Sequence, residues 1–190
     1  MSETLHEVSS IQINKSVIRL IKDDITDIPV ESFVYYAQHD LALGSGFGGA
    51  VAVRGGPSVQ KELDELAPLE TGEAVVSAAG NLKAQSIIHA VGPRFQEEDT
   101  EAKLRTTMIN TLAQVEKKGI EQVAFPAMGS GYYGILPAVS AQVMLDEIRT
   151  HLNGASGIKE VIICVFDTVQ FEAFQTIMTT LHQPDGLDNE

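Results

Sequence analysis

The sequence predicts an α/β protein with three layers, in which one sheet is covered by helices on both faces. Strand-like runs such as Ser86-Ile87-Ile88-His89-Ala90-Val91 and Val161-Ile162-Ile163-Cys164-Val165-Phe166 are almost continuously apolar, the pattern of strands buried on both sides. Longer amphipathic segments alternate with them; Leu104, Met108, Leu112 and Val115, for example, share one helical face. Two glycine-rich loops, Gly44-Ser45-Gly46-Phe47-Gly48-Gly49 and Gly129-Ser130-Gly131-Tyr132-Tyr133-Gly134, each lie between a strand and a helix-like run. In such sheets ligands bind outside the carboxyl ends of the strands.

In chain order, Ile11 and Ile13, then Val17-Ile18-Arg19-Leu20-Ile21, read as two strand pieces joined around Asn14-Lys15. Residues 22–29 make a polar corner closed by Pro29. Ser32-Phe33-Val34-Tyr35-Tyr36-Ala37 is rich in β-favouring residues and leads through Gln38-His39-Asp40 into the first glycine loop. A helix is expected from Gly48 to about Arg54, and a second opens on Pro57. Residues 73–77 form a strand, 78–81 a turn, and 86–91 a strand ended by Gly92-Pro93. The acidic stretch Gln96-Glu97-Glu98-Asp99 opens a long helix that ends at Lys117-Lys118-Gly119. Acid at its start, base at its end and a terminal glycine agree with helix polarity. Residues 122–125 read as a central strand. A helix over 137–151 buries Val139, Val143, Leu145 and Ile148, and a last strand and helix occupy 161–166 and 169–181.

A chain of 190 residues, 44% hydrophobic and 21% charged, can bury one substantial core. One domain over 1–190 is expected, with its core at about 10–181 and flexible ends at 1–9 and 182–190. No apolar run approaches the ~20 residues that span a bilayer, so no membrane partner is expected. The N-terminus lacks the basic and apolar regions of a signal peptide. Cys164 is the single cysteine; it fits a reducing cytoplasm and, inside an apolar strand, a packed core role. A formal net charge of −13 argues against binding nucleic acid through its phosphates. An anionic ligand would have to be held by local backbone donors against that field.

Glycine loops leading into helix N-termini supply such donors, because the first N–H groups of a helix have no intrahelical partner. Residues 44–49 also satisfy G-x-G-x-x-G. The six residues between strand and glycines, and the missing second strand with a terminal acid, argue against a dinucleotide fold. No metal-ligand spacing is present and no cofactor is expected. Ser130 lacks the hydrolase frame, since Met128 holds the first glycine position. His89 reads as a core histidine and His151 as a cation at a helix end. His39 and Asp40 adjoin the first loop and are weak candidates for acid–base chemistry.

Together these residues resemble the macro domain family, modules that bind ADP-ribose and its derivatives. The resemblance runs from about Val17 to Leu181 and rests on four blocks. Asp23-Asp24-Ile25-Thr26 is similar to a G-D-I-T corner, and Ile87-Ile88-His89-Ala90-Val91-Gly92-Pro93 to I-I-H-x-V-G-P. Phe125-Pro126-Ala127-Met128-Gly129-Ser130-Gly131-Tyr132-Tyr133-Gly134 is similar to F-P-A-I-G-T-G-x-x-G, and Val165-Phe166-Asp167 to the aromatic-Asp ending of the final strand. The resemblance implies an α/β/α sandwich with a mixed, mostly parallel sheet. It implies that Asp24 accepts a hydrogen bond from the adenine amino group beside the Ile25 backbone. Phe166 would pack on the adenine with Asp167 nearby. Gly129, Ser130, Gly131, Tyr132 and Tyr133 would wrap the diphosphate, with Tyr133 at the distal ribose and Gly46, Phe47 and Gly48 closing the other side.

The chain departs from the family where many members have N-A-A-N, since Tyr35-Tyr36-Ala37-Gln38 stands there. Gly48 holds the position of an aspartate found in one hydrolase branch. The expected function is therefore binding of ADP-ribose or an ADP-ribosylated protein. The alternatives are a slow hydrolase of ADP-ribosyl or O-acetyl-ADP-ribose bonds using Gln38, His39 or Asp40, and a degenerate scaffold that contacts another protein. The bulk of Tyr36 is expected to narrow the pocket.

Overall fold

The computed structural model describes residues 7–181. Seven strands form one sheet in the order β1-β2-β7-β6-β3-β5-β4. They are β1 (Glu7–Ile13), β2 (Ser16–Lys22), β3 (Ser32–Tyr36), β4 (Ala74–Ala78), β5 (Ser86–Ala90), β6 (Gln122–Phe125) and β7 (Glu160–Val165). The helices are α1 (Gly46–Gly55), α2 (Pro57–Leu66), α3 (Thr100–Lys117), α4 (Pro137–Asn153) and α5 (Thr168–Leu181). The β2–β7, β7–β6, β6–β3 and β3–β5 pairs are parallel, and the outer pairs β1–β2 and β4–β5 are antiparallel. The mixed, mostly parallel sheet is thus as expected, and β6 is its middle strand.

Alternation along each central strand divides the core in two. On β3, Val34 and Tyr36 face one apolar layer while Phe33 and Tyr35 face the other. On β7, Val161, Ile163 and Val165 face the first layer, and Ile162 and Cys164 the second. The first layer is closed by α3, α4 and α5 through residues such as Met108, Leu145 and Phe174; the second is closed by α1 and α2 through Val51, Val59 and Leu63. Such two-sided burial explains why these strands read as unbroken apolar runs.

Helix α3 ends as its sequence indicates. Gly119 takes φ 66°, its N–H donates to Glu116 O, and the Ile120 N–H donates to Val115 O. This pair of bonds satisfies carbonyls that the last turn leaves open.

Of the boundaries that differ from expectation, two bear on the sheet and the site. Strand β1 starts at Glu7 despite polar side chains, because antiparallel pairing with β2 satisfies its backbone. Residues 7–9 therefore join the sheet, while 1–6 and 182–190, expected to be flexible, lie outside the described residues. Helix α1 starts at Gly46, two residues earlier than expected, so the first glycine loop itself forms the helix N-terminus.

Candidate functional site

A cavity of about 640 Å³ opens at the carboxyl ends of the parallel strands. Its walls come from the corner after β2, the end of β3, the loop into α1, the loop after β6 and the end of β7. Of the residues singled out from the sequence, Asp24, Ile25, Gln38, Gly46, Phe47, Gly48, Gly129, Ser130, Tyr132, Tyr133 and Phe166 line it. His39, Asp40, Gly131 and Asp167 are not in the lining. His39 Nε2 faces Thr71 Oγ1 at 3.3 Å, and Asp40 Oδ1 accepts the Ala42 N–H at 3.0 Å. Asp167 Oδ1 accepts the Gln170 N–H at 2.8 Å, so its carboxylate caps α5 in place of facing the cavity.

No Lys, Arg or His lines this cavity. Its donors for an anion are therefore uncharged: backbone N–H groups, with side chains such as Ser45, Ser130 and Gln38 beside them. Among the described residues, the N–H groups of Gly129, Tyr132 and Tyr133 make no hydrogen bond within the chain, whereas those of Ser130, Gly134 and Ile135 close the turn onto Ala127, Gly131 and Gly129, and Ser130 and Ile135 form a parallel bridge. Across the cavity, Gly46, Phe47 and Gly48 form the first turn of α1, where N–H groups point out of the helix with a partial positive charge.

The first loop is held from below. Leu43 N–H donates to Gln60 Oε1 at 3.0 Å, and Tyr35 Oη donates to Leu43 O at 3.3 Å. The Tyr35 ring meets Phe47 edge-on at 4.9 Å. Burial, with Tyr133 nearby, pushes the Tyr35 phenol up to about 12, so it stays a neutral donor. A Cβ on Gly48 would fall 1.7 Å from Leu43 O and 2.4 Å from Tyr35 Oη. Tight contact between the helix start and the loop thus requires glycine there.

At the corner after β2, Asp24 Oδ1 accepts from Thr26 N–H at 3.0 Å and Thr26 Oγ1 at 2.7 Å, and Oδ2 accepts from Arg54 Nη1 at 2.8 Å. Burial works to raise the Asp24 carboxyl, but these hydrogen bonds outweigh it and hold it below the usual carboxylate range. Asp23, which replaces a glycine of the G-D-I-T pattern, needs no positive φ here; its carboxylate accepts the Asp24 N–H at 2.7 Å. Phe166 is 77% exposed at the end of β7 and gives the adjoining wall a bare aromatic face.

Sequence reasoning did not assign Cys164, Thr26 or Gln170 to the cavity, nor Arg54 behind it. The signal for Cys164 lay in strand alternation, which places it on the same side as the corner. Its thiol lies 3.5 Å from Asp23 O, and burial pushes it up to about 12. His89, expected to be a core histidine, is fully buried with Nε2 2.7 Å from Ser77 Oγ. Its Nδ1 has no hydrogen-bond partner among the described residues.

A second hollow of about 560 Å³ lies at the opposite ends of the strands, beside Glu31, Gln122 and Glu160. These groups are engaged with one another: Glu31 Oε2 accepts the Glu121 and Gln122 N–H groups, and Gln122 Nε2 donates to Glu160. Among the described residues, no group of three or more His, Cys, Asp or Glu is placed to hold a metal ion. None of the described helices is long and apolar enough to cross a membrane.

Comparison with known proteins agrees with this architecture. The model of the Macro domain family matches residues 35–144. A macro domain-containing protein of Caldanaerobacter subterraneus subsp. tengcongensis is 34% identical over 166 residues, covering 84% of this chain and 94% of the relative. O-acetyl-ADP-ribose deacetylase 2 of Pantoea vagans is 31% identical over 169 residues, covering 85% of this chain and 98% of the relative. Among solved structures, the Oceanobacillus iheyensis macrodomain with ADP superposes with a TM-score of 0.86 at 25% identity, covering 91% of this chain and 95% of that one. The sheet order, the two glycine loops at the strand ends and these matches lead to one conclusion: the chain belongs to the macro domain family.

Proposed function

We propose that this protein binds ADP-ribose, or an ADP-ribosyl group carried on a protein, in the cavity at the carboxyl ends of the strands. One observation carries the reading: a cavity without a basic side chain is bordered by unpaired backbone N–H groups from two glycine loops, with a carboxylate acceptor at its edge. Diphosphate oxygens suit the N–H groups, and an exocyclic amine suits Asp24. The volume, about 640 Å³, is in the range of small-molecule sites. In this reading Asp24 and the Ile25 backbone receive the adenine and Phe166 covers it. Residues 129–133 hold the diphosphate against the first turn of α1, and Tyr133 borders the distal ribose. Every described strand joins one sheet, which supports a single macro-like domain. The charge of −13 supports a partner other than nucleic acid, and the lone, buried Cys164 supports a cytoplasmic setting.

Hydrolysis of an ADP-ribosyl derivative is the second reading, favoured by the name of the Pantoea vagans relative. Of the three polar candidates in this chain, Gln38 alone lines the cavity. No carboxylate or imidazole among them is placed to activate water, which supports binding with slow turnover at most.

Calorimetric titration with ADP-ribose tests the proposal. Micromolar binding that is weakened in Asp24→Ala is expected. An absence of heat with ADP-ribose, ADP and AMP overturns it.

A further inference from the structure

Arg54, near the carboxyl end of α1, is not among the residues that line the cavity, yet it touches Asp24, one of the two acidic residues that do. Its Nη1 donates to Asp24 Oδ2 at 2.8 Å and to Thr26 Oγ1 at 2.6 Å. Thr26 then donates through both Oγ1 and N–H to Asp24 Oδ1. A carboxylate offers about four acceptor directions. Two on Oδ1 are filled by Thr26 and one on Oδ2 by Arg54. A single direction, on Oδ2, remains for a ligand.

That arrangement has a chemical consequence. A carboxylate with one fixed, unfilled acceptor direction welcomes a single N–H donor and repels a carbonyl oxygen in the same place. Loss of Arg54 frees the Asp24 side chain, 37% exposed, to rotate or to take a water, and the discrimination weakens. Arg54 also neutralises a carboxylate at the edge of a cavity that is meant to receive an anion, on a protein of charge −13.

We propose that Arg54 is a positioning residue that sets base specificity: through Thr26 and Asp24 it selects a purine with a 6-amino group over one with a 6-oxo group. The proposal rests on the reading that the base of an ADP-ribosyl ligand lies at Asp24.

The test is calorimetric titration of the wild-type protein, Arg54→Met, Arg54→Lys and Thr26→Val with ADP and with inosine diphosphate, which differ only at the 6-position group and its ring protonation. The wild-type protein is expected to favour ADP by about tenfold, the size of one hydrogen bond to a charged group. Arg54→Met brings the ratio to within about threefold, Arg54→Lys restores part of it, and Thr26→Val lowers it with Arg54 in place. An unchanged ratio in Arg54→Met overturns the proposal. So does an equal loss for both nucleotides, which marks Arg54 as a general contact or a stability residue. If Arg54→Met does not fold, the Lys and Val variants decide by the same ratio. Wild-type binding of ADP-ribose with no preference between ADP and inosine diphosphate overturns this proposal alone. No binding of any of the three overturns the binding reading, and this one with it.

Discussion

The ring of Tyr36 lies 4.4 Å from the ring of Tyr133, tilted by 44°, so the last residue of β3 props the second glycine loop from below. Its hydroxyl donates to Pro93 O at 2.5 Å. Room for the ring comes from Gly92, where a Cβ would fall 2.3 Å from Tyr36 Cζ. Tyr36 was expected to narrow the pocket, and it does form part of the wall. The cavity beside it still measures about 640 Å³. The bulk supports the loop; it does not fill the space.

Substitution at Tyr36 should separate these roles. Tyr36→Phe leaves the Pro93 carbonyl without its donor and should reduce stability by about 1 kcal/mol. Tyr36→Ala also removes the ring under Tyr133 and should cost about 3–5 kcal/mol. Urea denaturation reads both. Unchanged midpoints would show that neither contact supports the fold.

Asp24→Ala should weaken ADP-ribose by about tenfold or more, since an acceptor with a formal charge is lost. Asp24→Asn keeps the shape and turns part of the group into a donor, so it should bind as weakly as the alanine variant. Calorimetry distinguishes a lost charge from a lost contact by comparing the two.

A side chain at position 48 should not be tolerated. Gly48→Ala drives a Cβ against the Leu43 carbonyl and the Tyr35 hydroxyl, and the loop must move. A loss of about 1–3 kcal/mol in stability is expected, together with weakened ADP-ribose binding. Gly48→Asp should therefore not create a hydrolase. A variant with wild-type melting temperature and affinity would refute the tight fit.

His89 predicts an acid limit to stability. Burial pulls its imidazole from its ordinary 6.5 down to about 4. The unfolded chain takes up a proton below pH 6.5 that the folded chain refuses until about pH 4. Stability is thus complete above pH 6.5 and declines as the pH falls toward 4, by about 3 kcal/mol from this group. Denaturation curves at pH 7 and 4.5 should show the decline, and His89→Gln should flatten it.

Gln38→Ala tests turnover directly. The side chain is exposed at the cavity, and its amide nitrogen lies 3.6 Å from where a Cβ on Gly44 would stand. If the protein hydrolyses O-acetyl-ADP-ribose, the variant should lose most of that activity while retaining ADP-ribose affinity to within a few-fold. Product formation monitored by chromatography measures the first and calorimetry the second. Equal rates in both proteins would exclude Gln38 from the hydrolysis.

The layers, and the ends of the sheet at which the cavity opens, were legible in the chain alone. Strand runs such as residues 161–165 and the helical stripe of α3 encode burial through local spacing, and each glycine loop announces its own backbone requirement. Such signals span a few residues, so they survive without knowledge of the fold. Which neighbours those elements meet depends on the folded arrangement. Arg54 reaches Asp24 across 30 positions, and Tyr36 reaches Pro93 across 57. Asp167 turned to its own helix, although its place after β7 suggested the cavity. Side chains one residue apart at a strand end can face a ligand or a helix N-terminus, and that choice depends on packing and on competing donors brought from distant parts of the chain.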